Sequence, residues 1–218
     1  MPKAKLLIIV LLLQVLGLGR AWGQQVPPLA AELQARQPVN IFPADAATSY
    51  SFSEGDKAGR PSEFGGQVVQ GVPVFTAEVF TQKASHYGVQ AAWKSRLPVR
   101  AGDVLLARLA VRATYARQES GEGALYFYVQ QTSPPHDKSV IIELSAGPEW
   151  KTIEIPFAAA HDMAAGEATI CLSFGALPQR VEVADVQVLN FGPRATLAQL
   201  PTTRFSYAGR AAGAAWRR

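Results

Sequence analysis

Short runs of alternating apolar and polar residues extend along the chain from about residue 41 to residue 192. They are rich in Val, Ile, Phe, Tyr and Thr, and clusters of Gly, Pro, Asp and Ser separate them, as is typical of an all-β sandwich or barrel. No sustained 3.6-residue apolar period lies between the runs, which argues against a βαβ architecture. The pattern predicts strands at 48–52, 67–70, 73–81, 86–93, 103–115, 123–131, 138–144, 150–157, 168–174 and 180–190.

Alternation along a strand assigns its side chains to two faces, because successive residues point to opposite sides of a sheet. In 103–115, alternate residues that include Leu105 and Leu109 form one face, and the other face carries Arg108 and Arg112. Along 180–190 the apolar phase switches, so we expect a β-bulge near residues 184–185. The predicted core comprises Phe80, Val89, Leu105, Leu109, Val111, Leu125, Phe127, Val129, Ile153, Ile155, Phe157, Ile170, Leu172, Phe174, Val181 and Val183.

The strand 123–131 has an unusual polar face. Its core set is Leu125, Phe127 and Val129, whereas the opposite face carries Tyr126, Tyr128 and Gln130. Tyr87 and Gln90 add another ring and another amide nearby in "HYGVQAAW", although their parity differs, so Tyr87 must lie at a strand edge or beside an irregularity. Sugars present an apolar C–H face and a rim of hydroxyls, which an aromatic ring and planar polar groups complement. Together with Arg112, these residues form a candidate carbohydrate-binding site: Tyr87, Gln90, Arg112, Tyr126, Tyr128 and Gln130.

The N-terminus has the outline of a secretory signal peptide. Lys3 and Lys5 precede an apolar stretch from Leu6 to Leu16, and small residues that suit cleavage after Gly23 or Ala21 follow. The apolar stretch is shorter than the roughly 20 residues that a membrane-spanning helix needs. We therefore expect secretion, to the periplasm or the exterior, with no membrane span after cleavage.

The distribution of charge and the single cysteine limit the kinds of partner and of stabilisation that this domain can have. Of the 21 basic side chains, seven lie within the first 20 or the last 15 residues, whereas all 17 acidic ones lie between them. The basic balance is therefore an end effect and predicts no nucleic-acid partner, which would require clustered Lys and Arg. The single cysteine, Cys171, allows no intramolecular disulfide and lies in an apolar strand. The core alone must hold the domain together, and we expect a monomer.

Common catalytic signatures are absent from the sequence. There is no GxSxG elbow, HExxH pair, P-loop or dinucleotide fingerprint, and the three histidines lack metal-ligand spacing. A glycosidase would need two carboxylates about 5–10 Å apart. The strand glutamates Glu143, Glu154, Glu167 and Glu182 leave that alternative open, although nothing in the sequence marks a pair.

The stretch from about Ile41 to Gly192 resembles carbohydrate-binding modules of the cellulose- and xylan-binding type (families 4, 9 and 22). The resemblance rests on "YGVQAAW", "LPVRAGDVLLARLAVRA", "ALYFYVQQTSPPHDKSVIIELSAGPEWKTIEIPFAA" and "EATICLSFGALPQRVEVADVQVLNFG" in this order. It implies an all-β, two-sheet antiparallel jelly-roll sandwich of the galactose-binding-like type. In such relatives, sugars stack on the concave sheet against an aromatic residue of the "YGVQ" strand and another of the "LYFYVQ" strand.

Two further implications follow from the resemblance. Many relatives hold a structural calcium ion with a Gly-Phe-Glu-type motif and an aspartate of the last strand; Asp185 is the candidate ligand here, but residues 40–56 lack the motif. The C-terminal "LPTTRFSYAGRAAGAAWRR" resembles the connector to downstream domains in bacterial family 10 glycoside hydrolases of the xylanase type.

The sequence thus predicts four segments: a signal peptide at 1–23, a flexible leader at 24–39, a carbohydrate-binding β-sandwich at 40–192, and a connector at 193–218 toward a downstream domain. Residues 1–37 and 204–218 are expected not to pack on the sandwich. The favoured function is a secreted, non-catalytic module that binds xylan or another β-glycan and needs no cofactor. The alternatives are that the domain is itself a glycan hydrolase, or an adhesive or structural β-sandwich of the envelope.

Overall fold

The computed structural model describes residues 26–55, 57 and 59–204. Within these residues the chain forms eleven strands, one four-residue helix, α1 (Ala31–Gln34), and two short 3-10 turns, His86–Gly88 and Leu197–Gln199. The strands are β1 (Val39–Asn40), β2 (Ser51–Glu54), β3 (Glu63–Val69), β4 (Val72–Val79), β5 (Val89–Lys94), β6 (Val104–Ala116), β7 (Gly123–Gln131), β8 (Lys138–Ala146), β9 (Lys151–Ala158), β10 (Ala168–Ser173) and β11 (Gln179–Gly192).

The strands form two antiparallel sheets that pack face to face as a jelly-roll sandwich. The first sheet has the order β3-β4-β11-β6-β9, and the short β1 also pairs with β11. The second sheet has the order β2-β5-β10-β7-β8. The predicted fold class, an all-β two-sheet antiparallel sandwich, is confirmed.

The core lies between the sheets and contains all but one of the residues predicted for it. Leu125, Phe127 and Val129 of β7 point into it, so the faces of this strand are as predicted. Phe80 is the exception, because β4 ends at Val79 and Phe80 lies half-buried beneath the guanidinium of Arg60, 3.5 Å from the ring centroid.

The predicted irregularity in the last strand is present. The pairing of β11 with β6 shifts register between Ala184 and Gln187, and Asp185 adopts a positive φ of 50°. The extra residue reverses the phase of the strand, so that Val183 before it and Val186 and Val188 after it all reach the core. Local alternation was therefore sufficient to locate this bulge.

The predicted strand 86–93 begins with a turn instead. Residues 86–88 form a 3-10 turn and β5 begins at Val89. The turn packs closely on the chain after β10: a Cβ added at Gly175 would lie 2.8 Å from the carbonyl oxygen of Ser85. Tyr87 therefore lies outside the regular strand, which removes the parity conflict with Gln90.

The segment predicted to be a flexible leader is packed on the first sheet. Val26 and Leu33 are buried on the outer face of this sheet, Val26 against Ala110 and Leu33 against Leu106. The expectation that residues up to 37 are unpacked is therefore wrong for the described residues from 26 onward. The outer face of the first sheet is apolar at these positions, and the leader shields it from water.

The start of the predicted connector packs on the same sheet. Ala195 and Leu200 are buried beside Leu33, and Thr203 forms two hydrogen bonds with the backbone of Glu154 at the edge of β9. Residues 205–218, together with the predicted signal peptide, lie outside the described residues. None of the helices formed by the described residues is long and apolar enough to span a membrane.

Candidate functional site

The outer face of the second sheet carries most of the residues proposed from the sequence. Strand register sets side chains of β5, β10, β7 and β8 side by side on this face. Its three successive rows are Gln90, Ser173, Tyr126 and Glu143; Ala92, Cys171, Tyr128 and Ile141; and Lys94, Thr169, Gln130 and Lys138. We call this surface the tyrosine face.

Four rings follow one another at one end of the tyrosine face. The imidazole of His86 stacks on Tyr126, with ring centroids 3.8 Å apart and an interplanar angle of 17°, and lies 3.7 Å from the ring of Tyr87 on its other side. Tyr87 in turn contacts Tyr128 edge to face at 5.9 Å. Nδ1 of His86 shares a 2.7 Å hydrogen bond with the hydroxyl of buried Ser173, which fixes the imidazole.

The exposure of the three tyrosines separates their roles. Tyr87 is 43% exposed and Tyr126 is half-buried, whereas Tyr128 is 1% exposed. The hydroxyl of Tyr128 donates to Oε1 of Gln90, whose amide nitrogen lies 3.9 Å from the sulfur of Cys171. Tyr87 and Tyr126 can thus present rings to a ligand, while Tyr128 supports them from below.

Burial shapes the titration of the groups in this layer. It raises the pKa of the Tyr128 hydroxyl above its usual value and the pKa of the Cys171 thiol to about 12. Burial also lowers the pKa of His86; the charge of Glu143 opposes this shift, and that of Lys138 adds to it. At pH 7 the tyrosine face therefore has a neutral imidazole, a neutral phenol and an unreactive thiol.

A buried ion pair fixes the turn that carries His86 and Tyr87. Nζ of Lys83 lies 2.8 Å from Oε1 of Glu54, and the side chain of Lys83 is fully buried. Glu54 also accepts hydrogen bonds from the backbone and the hydroxyl of Ser62. Because a buried charge is costly without its partner, this pair holds the chain before the turn against the end of β2.

Five of the six predicted site residues lie on or beside the tyrosine face, and one does not. Tyr87 projects from the turn before β5, and Gln90, Tyr126, Tyr128 and Gln130 belong to the rows above. Arg112 lies on β6 of the first sheet, where it pairs with Glu182 at 2.6 Å and covers the ring of Trp150. Its predicted place beside the tyrosines is wrong, because alternation gives the face of a strand but not the sheet to which it belongs.

Sequence reasoning missed three contributors: His86, Ser173 and Lys138. His86 was considered from the sequence only as a metal ligand, although its position next to Tyr87 in "HYG" is a signal of ring packing. Ser173 precedes the "FG" turn and holds His86 from the neighbouring strand. Lys138 reaches the face from β8, with its ammonium 5.7 Å from the ring centroids of Tyr87 and Tyr128.

The carboxylates considered for catalysis do not converge in the structure. Glu154 and Glu182 both lie on the first sheet, bound to Arg108 at 3.0 Å and to Arg112 at 2.6 Å respectively. Glu143 lies on the second sheet, and Glu167 accepts a hydrogen bond from the backbone of Ala164 next to β10. Both Glu154 and Glu182 are thus engaged in ion pairs on the first sheet, which suits a structural role.

The candidate calcium ligand, Asp185, lies at the bulge of β11 in the first sheet. Its carboxylate accepts a hydrogen bond from the side chain of Gln187 at 2.9 Å. Among the described residues, no three His, Cys, Asp or Glu side chains come together. Because calcium also takes backbone and amide oxygens, the calcium assignment at Asp185 rests on the resemblance alone.

A cavity of about 740 Å³ lies on the outer side of the first sheet, away from the tyrosine face. The leader and the chain before residue 201 form its walls, with Pro27, Leu33 and Pro201 among the lining residues. The ion pair of Arg108 and Glu154 lies at its floor, and Arg108 also donates to the carbonyl of Pro27 at 2.7 Å. This cavity contains no aromatic side chain on which a sugar could stack.

Comparison by sequence found nothing: no family model matches the chain, and no curated protein matches it. Solved structures do match. The unliganded CBM1 module of BiXyn10A is 19% identical, with a TM-score of 0.51 over 69% of this chain and 96% of that one. The arabinose-bound α-L-arabinofuranosidase MgGH51 is 11% identical, with a TM-score of 0.50 over 70% of this chain and 24% of that one.

A third similar structure is the second N-terminal cellulose-binding domain of Cellulomonas fimi β-1,4-glucanase C. It is 12% identical, with a TM-score of 0.49 over 70% of this chain and 95% of that one. At these identities the similarity concerns the fold, and it covers nearly all of the BiXyn10A module. The chain therefore has the jelly-roll β-sandwich fold of carbohydrate-binding modules.

Proposed function

We propose that this chain is a non-catalytic polysaccharide-binding module and that its glycan lies along the tyrosine face. The observation that carries the proposal is the exposed ring of Tyr87, which is held beside Tyr126 by a fixed imidazole between them. A sugar ring can stack on such a surface without reorganising it, and preorganisation lowers the cost of binding.

The amides of the tyrosine face supply the polar part of a sugar site. Gln130 and Gln90 are half-buried. Gln130 follows Tyr128 by two residues on β7, and Gln90 lies on β5, across β10 from Tyr128. Planar amides both donate and accept hydrogen bonds, so they match the hydroxyl rim of a stacked sugar. Because Gln90 already accepts from Tyr128, its amide is oriented before any ligand arrives.

The proposed ligand is xylan or another β-glycan, and the proposed context is a secreted glycoside hydrolase. The fold similarity to the module of BiXyn10A supports the class of ligand. The signal-peptide pattern at residues 1–23 supports export, and the connector-like 193–218 supports a role in bringing a downstream catalytic domain to its substrate. The engagement of Glu154 and Glu182 in ion pairs with arginines supports a binding role without hydrolysis.

Affinity electrophoresis on soluble xylan and β-glucan, combined with a reducing-sugar assay, tests the proposal. We expect retarded migration on at least one glycan and no release of reducing ends. Release of sugar would assign the chain to the hydrolases instead. Normal migration on every glycan, with no release, would leave an adhesive or structural envelope domain.

A further inference from the structure

Lys138 is placed unusually for a lysine of a sandwich surface. It begins β8 at the rim of the tyrosine face, opposite Gln130, and its side chain is half-buried. Its ammonium lies 5.7 Å from the ring centroid of Tyr87 and 5.7 Å from that of Tyr128. The aliphatic stem therefore runs over the face and delivers a positive charge beside the exposed ring.

This charge has no carboxylate partner among the described residues. Lys83, Arg108 and Arg112, which are also buried or half-buried, each pair with a glutamate at 2.6–3.0 Å. The acidic neighbour of Lys138 in sequence, Asp137, lies 3.4 Å from His161 instead. The ammonium of Lys138 therefore lies near the rings and is available to bind an anion.

We propose that Lys138 makes the tyrosine face select glycans that carry carboxylates, such as polysaccharides with uronic acid units or side groups. This inference rests on the proposed function and specifies the ligand class of the same site. A sugar stacked on Tyr87 lies about 4 Å above the ring. Its substituents are then within reach of the ammonium, where a carboxylate would form a charge-assisted hydrogen bond.

The distribution of charge also gives the bound glycan a direction. Glu143 lies opposite Tyr126 on β8 and is exposed, so the far end of the ring row is negative. A carboxylate there would be repelled, whereas one beside Tyr87 would be attracted by Lys138. We therefore expect the acidic unit beside Tyr87 and a neutral unit on Tyr126.

The test compares two matched ligands. One is a xylan that carries glucuronic acid, and the other is the same xylan after chemical reduction of its carboxyl groups. The wild-type chain should bind the native polymer about fivefold more tightly, as expected for a partly exposed ion pair. Lys138→Met, or Lys138→Gln if the former does not fold, should bind both polymers with the affinity of wild type for the reduced one. Raising the salt concentration should remove the preference of the wild-type chain in the same way.

Arg100→Gln is the control for general electrostatic attraction, because Arg100 is an exposed cation in the turn before β6, outside the tyrosine face. It should keep the preference. Three results would overturn the role of Lys138 and leave the proposed function standing: equal binding of both polymers by wild type, an unchanged preference in the Lys138 variants, or an equal loss in Arg100→Gln. Failure of the wild-type chain to bind either polymer, or neutral β-glucan, would overturn both.

Discussion

At the scale of single residues, the tyrosine face divides into rings that can touch a ligand and rings that support them. Tyr87 is 43% exposed, whereas Tyr128 is only 1% exposed. Both have an aromatic neighbour at 5.9 Å, so contact alone would not distinguish them. Burial does, because a sugar cannot stack on a ring that solvent cannot reach. Two substitutions follow from this division.

Tyr87→Ala should weaken glycan binding about five- to tenfold, because a stacked ring contributes about 1 kcal/mol or more. Its free energy of unfolding should fall less than that of a core substitution, because the residue is 43% exposed. Affinity electrophoresis gives the first quantity and urea unfolding the second. Tyr115→Ala is the matched control, an exposed tyrosine on β6 of the other sheet; equal weakening by both substitutions would contradict the proposed site.

Tyr128→Phe should have the opposite effect: a loss of stability with little loss of glycan affinity. It removes the hydroxyl that donates to Gln90, at a cost of about 1 kcal/mol in the free energy of unfolding. Glycan affinity should fall less than about threefold, since the ring that supports Tyr87 remains. Isothermal titration on the glycan that wild type binds, together with denaturant unfolding, measures both. An affinity loss as large as that of Tyr87→Ala would show that the phenol itself contacts sugar.

At the scale of elements, the leader is part of the folded domain. Val26 and Leu33 are buried on the first sheet, and the carbonyl of Pro27 accepts a hydrogen bond from the buried guanidinium of Arg108. Removing this segment would expose Leu106 and Ala110 on β6 to water. The outer face of the first sheet is thereby covered, and the tyrosine face is the sheet surface left open for a ligand.

A chain that begins at Gln37 should therefore be less stable than one that begins at Gln24. Full burial of a large apolar side chain contributes about 1.5–3 kcal/mol, and ordering the segment offsets part of this. We expect a net loss of about 2–4 kcal/mol in the free energy of unfolding, measured by urea denaturation. Equal midpoints for the two chains would show that the leader contributes nothing.

At the scale of the whole molecule, the buried pair of Lys83 and Glu54 fastens the connection from the first sheet to the second against β2, near the site. The hydrogen bond from Lys83, assisted by those from Ser62, outweighs burial and lowers the pKa of the Glu54 carboxyl. A carboxyl whose pKa is lowered by folding stabilises the folded state above its unfolded pKa, and this contribution is lost as the pH falls through the folded value. The contribution should therefore be complete above about pH 5 and disappear on acidification.

Glu54→Gln should destabilise the domain at neutral pH, because Lys83 is then buried without its counter-charge. Loss of one partner of a buried pair costs about 3 kcal/mol. The difference in free energy of unfolding between wild type and this variant should narrow as the pH is lowered from 5 to 3. Thermal or denaturant unfolding across this range measures it, and Glu63→Gln, at an exposed pair with Arg60, is the control. A constant difference would contradict the ionised state of Glu54.

Most strands, their faces and most of the core could be predicted from the amino-acid sequence. Period-2 alternation is a local property, so it placed Leu125 and Phe127 inward and Tyr126 outward without knowledge of any neighbour. The same local signal located the bulge at residues 184–185, because an extra residue changes the phase within a single strand. Properties that depend on a single strand, such as its two faces and its bulge, could be predicted.

The folded structure was needed to show which strands lie side by side, and hence which outward side chains share a surface. Arg112 and Tyr126 are both outward, but pairing of β6 with β11 and of β7 with β10 sends them to opposite sides of the molecule. Packing likewise buried Tyr128 beneath Tyr87 and placed His86 between two rings. It also brought the polar-looking leader onto an apolar sheet. These outcomes depend on contacts distant in sequence, which no local period encodes.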